Sequence, residues 1–114
     1  MQLVTIDGID PASVGPVVGA QTYGRGLAYA RRRSVLHMEW DDAGSLLHAV
    51  VRGSDGNAYE TTICFKPQRG RQLGFAFGEC TCPVGINCKH VVAATVTATG
   101  AAPATAAPGI TAAL

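Results

Sequence analysis

The residues best suited to chemistry lie in one short segment near the C-terminal end of the sequence. Between residues 80 and 90 stand three of the four cysteines and one of the three histidines, namely Cys80, Cys82, Cys88 and His90. Thiolate sulfur and imidazole nitrogen are the donors that a tetrahedral zinc ion prefers. Four protein donors fill such a coordination sphere and leave no open position for water or substrate. The sequence therefore predicts one structural Zn²⁺ rather than a catalytic one.

Two other interpretations of this cluster stay open at the level of sequence. The thiols could be buried without a metal, although four donors at workable spacing rarely coincide. A redox role would require an exposed thiol of low pKa, usually in a Cys-X-X-Cys motif. The Cys-X-Cys spacing beside a third cysteine and a histidine fits a metal better.

Three further donors lie outside the cluster. Cys64 is predicted to lie about 20 Å from Cys80 along the sheet, which is too far for a ligand, and is interpreted as a partly buried free thiol. His37 and His48 are predicted to lie opposite each other on neighbouring strands. They would allow a second metal site, but an exposed polar pair is the ordinary explanation.

The length and net charge of the chain restrict which domain organisation and which binding partners can be expected. The 114 residues allow one domain, and the formal charge of +1 gives no general case for binding polyanions. The N-terminal residues lack the basic start and apolar run of a signal peptide, and no segment approaches the ~20 apolar residues of a membrane span. We therefore expect a cytoplasmic location without membrane contact, where a reducing environment favours metal binding over disulfides.

Composition divides the chain into three parts. Residues 1–22 form an N-terminal segment, in which a short helix is expected from Asp10 but is interrupted at Gly15. Residues 23–99 are expected to fold. Residues 100–114 are rich in alanine, proline and threonine and are predicted to be a flexible tail. The folded part is small, so a metal would contribute materially to its stability.

Apolar residues alternate with period two from residue 34 onward, which predicts strands. Turn residues at 41–44, 54–57 and 67–71 separate them, so the pattern predicts a four-stranded antiparallel meander in an α+β fold. A three-residue loop is expected at 55–57. The predicted cross-strand pairs are Trp40 with Ser45, Met38 with Leu47, Leu36 with Ala49, Ala49 with Ile63, Leu47 with Phe65, Ile63 with Phe75, Cys64 with Gly74, and His37 with His48.

The metal cluster is predicted to join the last strand to a helix. Residues two apart on a strand point to the same side, so Cys80 and Cys82 can share an ion at the end of the fourth strand. Residues 88–99 have the length and apolar stripe of a helix. Because residues two apart diverge on a helix, Cys88 is expected at its leading edge and His90 in its first turn.

One local basic patch lies between residues 25 and 33. Its arginines would contact phosphates and the nearby tyrosines would stack on bases if the patch binds nucleic acid. The candidates are Arg25, Arg31, Arg32, Arg33, Tyr23 and Tyr29, and Lys66, Arg69 and Arg71 would extend the patch. The competing interpretation is a solvated edge strand whose charges prevent aggregation.

The spacing Cys-X-Cys, five residues, Cys-X-His resembles the SWIM-type zinc finger. Cys82-Pro83 and the run Cys88-Lys89-His90-Val91-Val92-Ala93-Ala94 are similar to prokaryotic members. Tyr23-Gly24-Arg25-Gly26 and Ala49-Val50-Val51-Arg52-Gly53-Ser54 resemble the region before the finger in bacterial Swi/Snf-type helicase proteins and their stand-alone relatives. The resemblance covers roughly residues 20–97. It implies a ββα zinc module, with its finger core at about 58–99, that binds DNA or proteins and occurs beside helicase, transposase and ubiquitin-ligase domains.

Three classes of function follow from these features. The first is DNA binding, as an accessory module of a helicase-like protein. The second is a protein-interaction module, with a helicase or recombination protein as partner, in which zinc only maintains the shape. The third is a thiol-reactive enzyme or a zinc-responsive regulator. The sequence contains no Gly-rich phosphate loop with its lysine and no nucleophile with a plausible base, so we expect neither catalysis nor a small-molecule substrate.

Overall fold

The computed structural model describes residues 6–100, so the predicted tail lies outside the described residues except for Gly100. Within these residues short helical elements come first, four strands follow and a helix comes last. The elements are a 3₁₀ turn at Pro11–Ser13, α1 at Gly15–Val18, α2 at Ala20–Arg31, β1 at Val35–Asp41, β2 at Leu46–Arg52, β3 at Ala58–Pro67, β4 at Leu73–Cys80 and α3 at Lys89–Ala98.

The four strands form one antiparallel sheet in the order β1-β2-β3-β4. This order confirms the predicted meander and the α+β fold. One face of the sheet carries the apolar side chains and packs against α3. Met38, Leu47, Ile63 and Phe75, one from each strand, are at most 1% exposed. Their burial removes a continuous apolar layer from water, which is the main favourable contribution to folding.

The predicted register of the first hairpin is wrong by two residues. Met38 lies opposite Ala49 and Trp40 lies opposite Leu47, because pairing continues to the end of both strands before the loop at residues 42–45. Ser45, predicted to pair with Trp40, lies in that loop with a positive φ of 52°. A shift of two residues leaves every side chain on its predicted face, so the core face is unchanged.

A β-bulge at the start of β1 changes which residue enters the core. The register shifts between Val35 and His37, so Leu36 is the additional residue. Val35 is 2% exposed, whereas Leu36 is only half-buried, contrary to its predicted place on the core face. The prediction that His37 lies opposite His48 is also wrong, because His48 pairs with Glu39.

The second hairpin differs from prediction for a similar reason. Leu47 lies opposite Ile63, not Phe65, and Ala49 lies opposite Thr61. The loop between β2 and β3 contains five residues, 53–57, rather than the three expected. Loop length fixes the register of a hairpin, so two additional loop residues move each pair by two.

The third hairpin contains a bulge that the sequence analysis did not foresee. The register shifts between Cys64 and Phe65. The observed pairs are Phe65 with Phe75, Cys64 with Phe77 and Ile63 with Gly78, so the predicted pairs Ile63 with Phe75 and Cys64 with Gly74 are wrong.

Helix α3 lies between the sheet and α2 and is enclosed on both sides. Eight of its ten residues are buried, which explains how a segment rich in β-branched residues is held helical. The hydroxyl of Thr95 donates to the carbonyl of Val91 at 2.9 Å, so this buried polar group is satisfied. Cys88 is the N-cap residue, as predicted for the leading edge of the helix.

The arginine-containing segment is helical. Residues 20–31 form α2, so the edge-strand interpretation of this segment is wrong. Gly26 is buried where α2 meets α3, and this close approach compensates for the low helix propensity of glycine. None of the helices in the described part of the chain combines the length and apolar character that a membrane span requires.

The N-terminal segment protects the outer edge of β4. The Leu73 amide donates to the carbonyl of Gly8 at 2.7 Å, and the Asp10 amide donates to the carbonyl of Leu73 at 2.9 Å. The Phe75 amide donates to the Ser13 hydroxyl at 2.9 Å. Asp10 also accepts from the Ala12 amide at 3.0 Å, as expected of a cap, although the predicted helix is divided between the 3₁₀ turn and α1.

Candidate metal centre and adjoining cleft

The four predicted metal donors converge at the junction of β4 and α3. Cys80 is the last residue of β4, Cys82 follows in the loop, Cys88 caps α3 and His90 lies in its first turn. Their ligand atoms all lie within 4.8 Å of one another, and all four residues are buried. His90 Nδ1 lies 3.7 Å from Cys80 Sγ and 3.6 Å from Cys88 Sγ.

These separations fit a tetrahedral zinc site. With Zn–S bonds of about 2.3 Å and Zn–N bonds of about 2.0 Å, the sulfur–nitrogen edge of a tetrahedron is about 3.5 Å. The donor set of three thiols and one imidazole is also one that zinc favours. The cluster is therefore compatible with one structural zinc ion, bound through Nδ1 of the histidine.

Backbone hydrogen bonds fold the loop between Cys82 and Cys88 back towards β4. The Cys80 amide donates to the carbonyl of Gly85 at 2.9 Å. Asn87 accepts from the Gly78 amide through Oδ1 at 2.8 Å and donates its own amide to the Gly78 carbonyl at 2.8 Å. Gly85 and Asn87 both adopt positive φ, of 87° and 49°, a conformation that glycine and asparagine tolerate best.

The three thiols differ in acidity. Burial raises the pKa of Cys80 and of Cys88 above the ordinary value, and proximity to Cys88 reinforces the effect at Cys80. Burial acts in the same direction on Cys82, but hydrogen bonds from the Gly85 and Val84 amides and from the Cys80 thiol lower its pKa overall. Three buried thiolates would repel one another, so a divalent cation is the natural compensation for their charge.

His90 is held between two tyrosine rings. Its ring centroid lies 5.3 Å from that of Tyr29, edge to face, and 4.9 Å from that of Tyr59. Burial, together with the nearby Lys89 ammonium, lowers the pKa of His90, which favours the neutral imidazole that binds metals. While Nδ1 faces the sulfurs, the other ring nitrogen, Nε2, is fully buried and has no hydrogen-bond partner among residues 6–100.

A cleft of about 320 Å³ opens beside the metal centre. Three parts of the chain line it: the first turns of α2, the loop between β2 and β3, and the segment from the metal loop into α3. The side chains that give it its chemical character are Thr22, Arg25, Ser54, Asp55, Val84 and Lys89. Tyr59 and Pro83 also line it, so the cleft combines two cations, one carboxylate, three hydroxyls and an apolar surface.

The predicted nucleic-acid candidates do not all share one surface. Arg25, Arg31, Arg32 and Arg33 are exposed, but Tyr29 is only 6% exposed and Tyr23 is half-buried. Tyr29 is therefore not accessible to a stacking base. Its ring instead lies beneath two cations, with Arg32 Cζ 5.0 Å and Lys89 Nζ 5.1 Å from the ring centroid. Burial raises the pKa of Tyr29, but interactions with Ser54 and with the Lys89 ammonium outweigh it and lower the pKa overall.

The other predicted donors are separate from this centre. Cys64 is half-buried and faces Phe77 on the neighbouring strand. His37 contacts Glu39 at 3.1 Å, and His48 lies 3.4 Å from the Thr62 hydroxyl. In the described part of the chain the Cys80 cluster is the one group of three or more donors close enough to hold a metal.

The sequence analysis did not predict that Lys89 and the loop at residues 53–57 line the cleft beside the metal centre. Lys89 is part of the sequence motif, but the motif does not predict that it faces the arginine helix. The position of Lys89 directly after Cys88, the N-cap of α3, could have indicated this, because it places Lys89 in the first turn of α3, beside α2. The Asp55 carboxylate accepts hydrogen bonds from the Tyr59 hydroxyl and from the Asn57 amide, and so fixes the wall of the cleft.

Comparison with known protein families agrees with the geometry. The family model described as SWIM zinc finger matches residues 69–97, a range that contains all four donors. Searches of curated proteins and of solved structures found no match to the chain.

Proposed function

Because residues 69–97 form a SWIM-type zinc finger whose donors are compatible with one structural zinc ion, we propose that this zinc-binding module binds DNA. It does so through a basic strip made of Arg25, Arg32 and Lys89. The module has no catalysis of its own and works in the reducing environment of the cytoplasm, as an accessory part of a helicase-like protein.

The geometry of α2 supports this strip. On an ideal helix Arg25, Tyr29 and Arg32 lie within about 60° of one another, and the two arginines are about 10 Å apart along the axis. Lys89 reaches the same surface from α3, since its ammonium and the Arg32 guanidinium both approach the Tyr29 ring. Arg31 lies about 120° around the helix from Arg25. The strip thus contains two of the four predicted arginines and one lysine from the zinc finger.

The observation that carries the proposal is the lack of neutralising partners. No lysine or arginine within residues 6–100 forms an ion pair with a carboxylate, and the ion-pair contact in that range joins His37 and Glu39. Cations placed close together without counter-charges raise the local potential, which attracts a polyanion even when the net charge is small.

The role of zinc in this proposal is mechanical. Cys88 and His90 anchor the first turn of α3, which carries Lys89, while Cys80 and Cys82 anchor the end of β4. Holding both elements fixes Lys89 against α2. All four donors come from the protein, so the centre offers no open position for a substrate.

Fluorescence anisotropy with labelled DNA at about 50 mM and about 200 mM salt tests the proposal. We expect binding that weakens steeply with salt. Arg25→Ala and Arg32→Ala should each weaken binding and reduce the salt slope by about 1. Arg31→Ala is the matched control, because it removes the same charge from another face of α2. Absence of binding at low salt, or an equal loss with Arg31→Ala, would contradict the proposal.

A specific observation favours a second candidate, protein interaction. Val84 is 70% exposed and Ile86 is 53% exposed, both in the metal loop, and Phe77 on β4 is 39% exposed. A contiguous patch of exposed apolar side chains is typical of an interaction surface, and Val84 and Ile86 lie two residues apart in one loop. A purified helicase or recombination protein that binds the Arg25→Ala/Arg32→Ala double variant, but not Val84→Asp, would support this candidate over DNA binding.

A further inference from the structure

The cleft beside the metal centre has the size and lining of a ligand site. Its volume of about 320 Å³ lies at the lower end of the ~300–1,000 Å³ range of small-ligand pockets. Arg25 of α2 and Lys89 of α3 both line the cleft and give it two cations without ion-pair partners. A group that carries negative charge would fit between them.

The floor of the cleft adds hydrogen-bond donors. The first N–H groups of a helix have no acceptor within the helix, and the Cys88 side chain makes no capping hydrogen bond to those of α3. The positive end of the helix dipole therefore faces the cleft. His90, which is 4% exposed, also lines the cleft, and its Nε2 has no partner in the described chain.

Two features restrict the choice of ligand. Asp55 is the one carboxylate in the lining, and its oxygens already accept hydrogen bonds from the Tyr59 hydroxyl and from Asn57. It therefore repels an anion less than a free carboxylate would. Pro83 and Val84 also line the cleft and provide an apolar surface on which a flat group can rest. The cleft thus offers separate places for an anion and for an apolar ring.

We propose that this cleft holds one unstacked nucleotide of a single-stranded nucleic acid, with its phosphate between Arg25 and Lys89 and its base against Pro83 and Val84. This inference rests on the proposed DNA binding and adds strand preference to it. A base within a duplex is stacked and paired, so it cannot enter a concave cleft without leaving the stack. The basic strip then continues from the cleft along α2 to Arg32, which would contact the backbone further along the strand.

The test compares single-stranded and double-stranded DNA of equal length with the full chain loaded with zinc. We expect the single strand to bind more tightly. Thr22→Tyr places a large side chain in the cleft without changing charge, and should weaken single-strand binding roughly tenfold while affecting the duplex little. Gln21→Tyr, at the neighbouring exposed position outside the cleft, is the matched control and should bind as the wild type does.

A second measurement does not depend on the folding of a variant. Amide shifts in ¹⁵N spectra, recorded while oligo-dT is added, should move most at Ser54, Asn87 and Lys89. Equal binding of both DNA forms, with no shifts in the cleft, would overturn the cleft proposal while leaving DNA binding intact. Thymidine monophosphate binding as tightly as the strand would also overturn it, because the site would then recognise a free nucleotide. No DNA binding at all would instead reject the proposed function.

Discussion

Gly26 of α2 lies directly against Val92 of α3. A β-carbon built on Gly26 would come within 2.3 Å of two Val92 carbons and 3.0 Å of the Lys89 carbonyl oxygen. The two helices are therefore in near-backbone contact at the turn of α3 that follows the metal ligands. This contact holds the arginine helix against the zinc finger, and it tolerates no side chain larger than hydrogen at position 26.

Gly26→Ala should therefore destabilise the protein. Overpacking of a well-packed contact typically costs about 1–3 kcal/mol, and here one of the crowded atoms belongs to the backbone. Gly24→Ala is the matched control, since its β-carbon would meet nothing within 4 Å. It should stabilise the protein by about 0.5–1 kcal/mol, because alanine favours a helix more than glycine does. Urea unfolding in the presence of zinc measures both changes, and equal effects of the two substitutions would show that the close approach is absent.

Loss of a metal donor should unfold α3. Cys88→Ser is expected to lower zinc content below one ion per chain and to remove the amide protection of residues 89–98, because site and helix form together. His90→Ala should do the same. Zinc analysis and hydrogen exchange measure these two results.

Cys64→Ser provides the control for the donor variants, since it removes a thiol outside the cluster. It should keep full zinc content and native protection in α3. A Cys88→Ser protein with native zinc content and protection would show that Cys88 is not a ligand.

Asn87→Ala should weaken the metal loop. The substitution leaves the Gly78 amide without its acceptor and places alanine at a φ of 49°. Leaving a buried donor unsatisfied costs about 1–3 kcal/mol. Asn87→Asp keeps an oxygen at the same position and should retain most of the stability. Thermal unfolding of the two zinc-loaded variants compares them, and equal losses would mean that the side-chain hydrogen bond contributes little.

The hydrogen bond between Tyr59 and Asp55 should be visible in a pH titration. The carboxylate accepts a hydrogen bond from the phenol, which raises the pKa of Tyr59 above its ordinary value of 10.0. The bond needs an ionised Asp55 and a protonated Tyr59, so it contributes stability between their two pKa values. This contribution is lost as pH rises through the folded-state pKa of Tyr59, and as pH falls through that of Asp55, which the same bond lowers. Asp55→Asn should return the pKa of Tyr59 towards 10.0, as measured by the NMR shift of its Cζ.

Asp42→Asn controls for the loss of one negative charge in this titration. Asp42 contacts the indole of Trp40, in the loop between β1 and β2. This variant should leave the titration of Tyr59 unchanged. A pKa for Tyr59 that is the same in the wild type and in Asp55→Asn would rule out the hydrogen bond in solution.

Away from the two β-bulges, the sequence was sufficient to predict which strand residues face the core, but not how the strands align. Alternation such as that of Met38 and Trp40 determines the face, and a shift of two residues leaves it unchanged. The register depends on loops, and their lengths depend on local choices such as the positive φ of Ser45, which composition does not reveal. The bulges at Leu36 and Ala76 are likewise decided by packing of the whole sheet.

The two longer helices differ in the same way, because one follows from local sequence and the other depends on tertiary contacts. Helix α3 was predictable from its length and from the cysteine at its start. Helix α2 was not, since Gly24 and Gly26 lower the helix propensity of its sequence. Only the contact with Val92 explains a glycine at position 26, and that contact joins residues distant in sequence. The metal donors were predictable because residue type and spacing alone identify three cysteines and one histidine as a zinc-binding set.

The enclosed position of α3 decides which piece of this protein could be grafted onto another. Residues 69–97 carry every metal donor and match the SWIM zinc finger family. Eight of the ten residues of α3 are nevertheless buried, and the surfaces that bury them belong to α2 and to the sheet, mostly outside that range. A chimera built from residues 69–97 alone would contain the metal ligands, but the apolar side chains of α3 would be exposed to solvent. A graft that keeps α3 buried must therefore include α2 and the sheet as well as the motif.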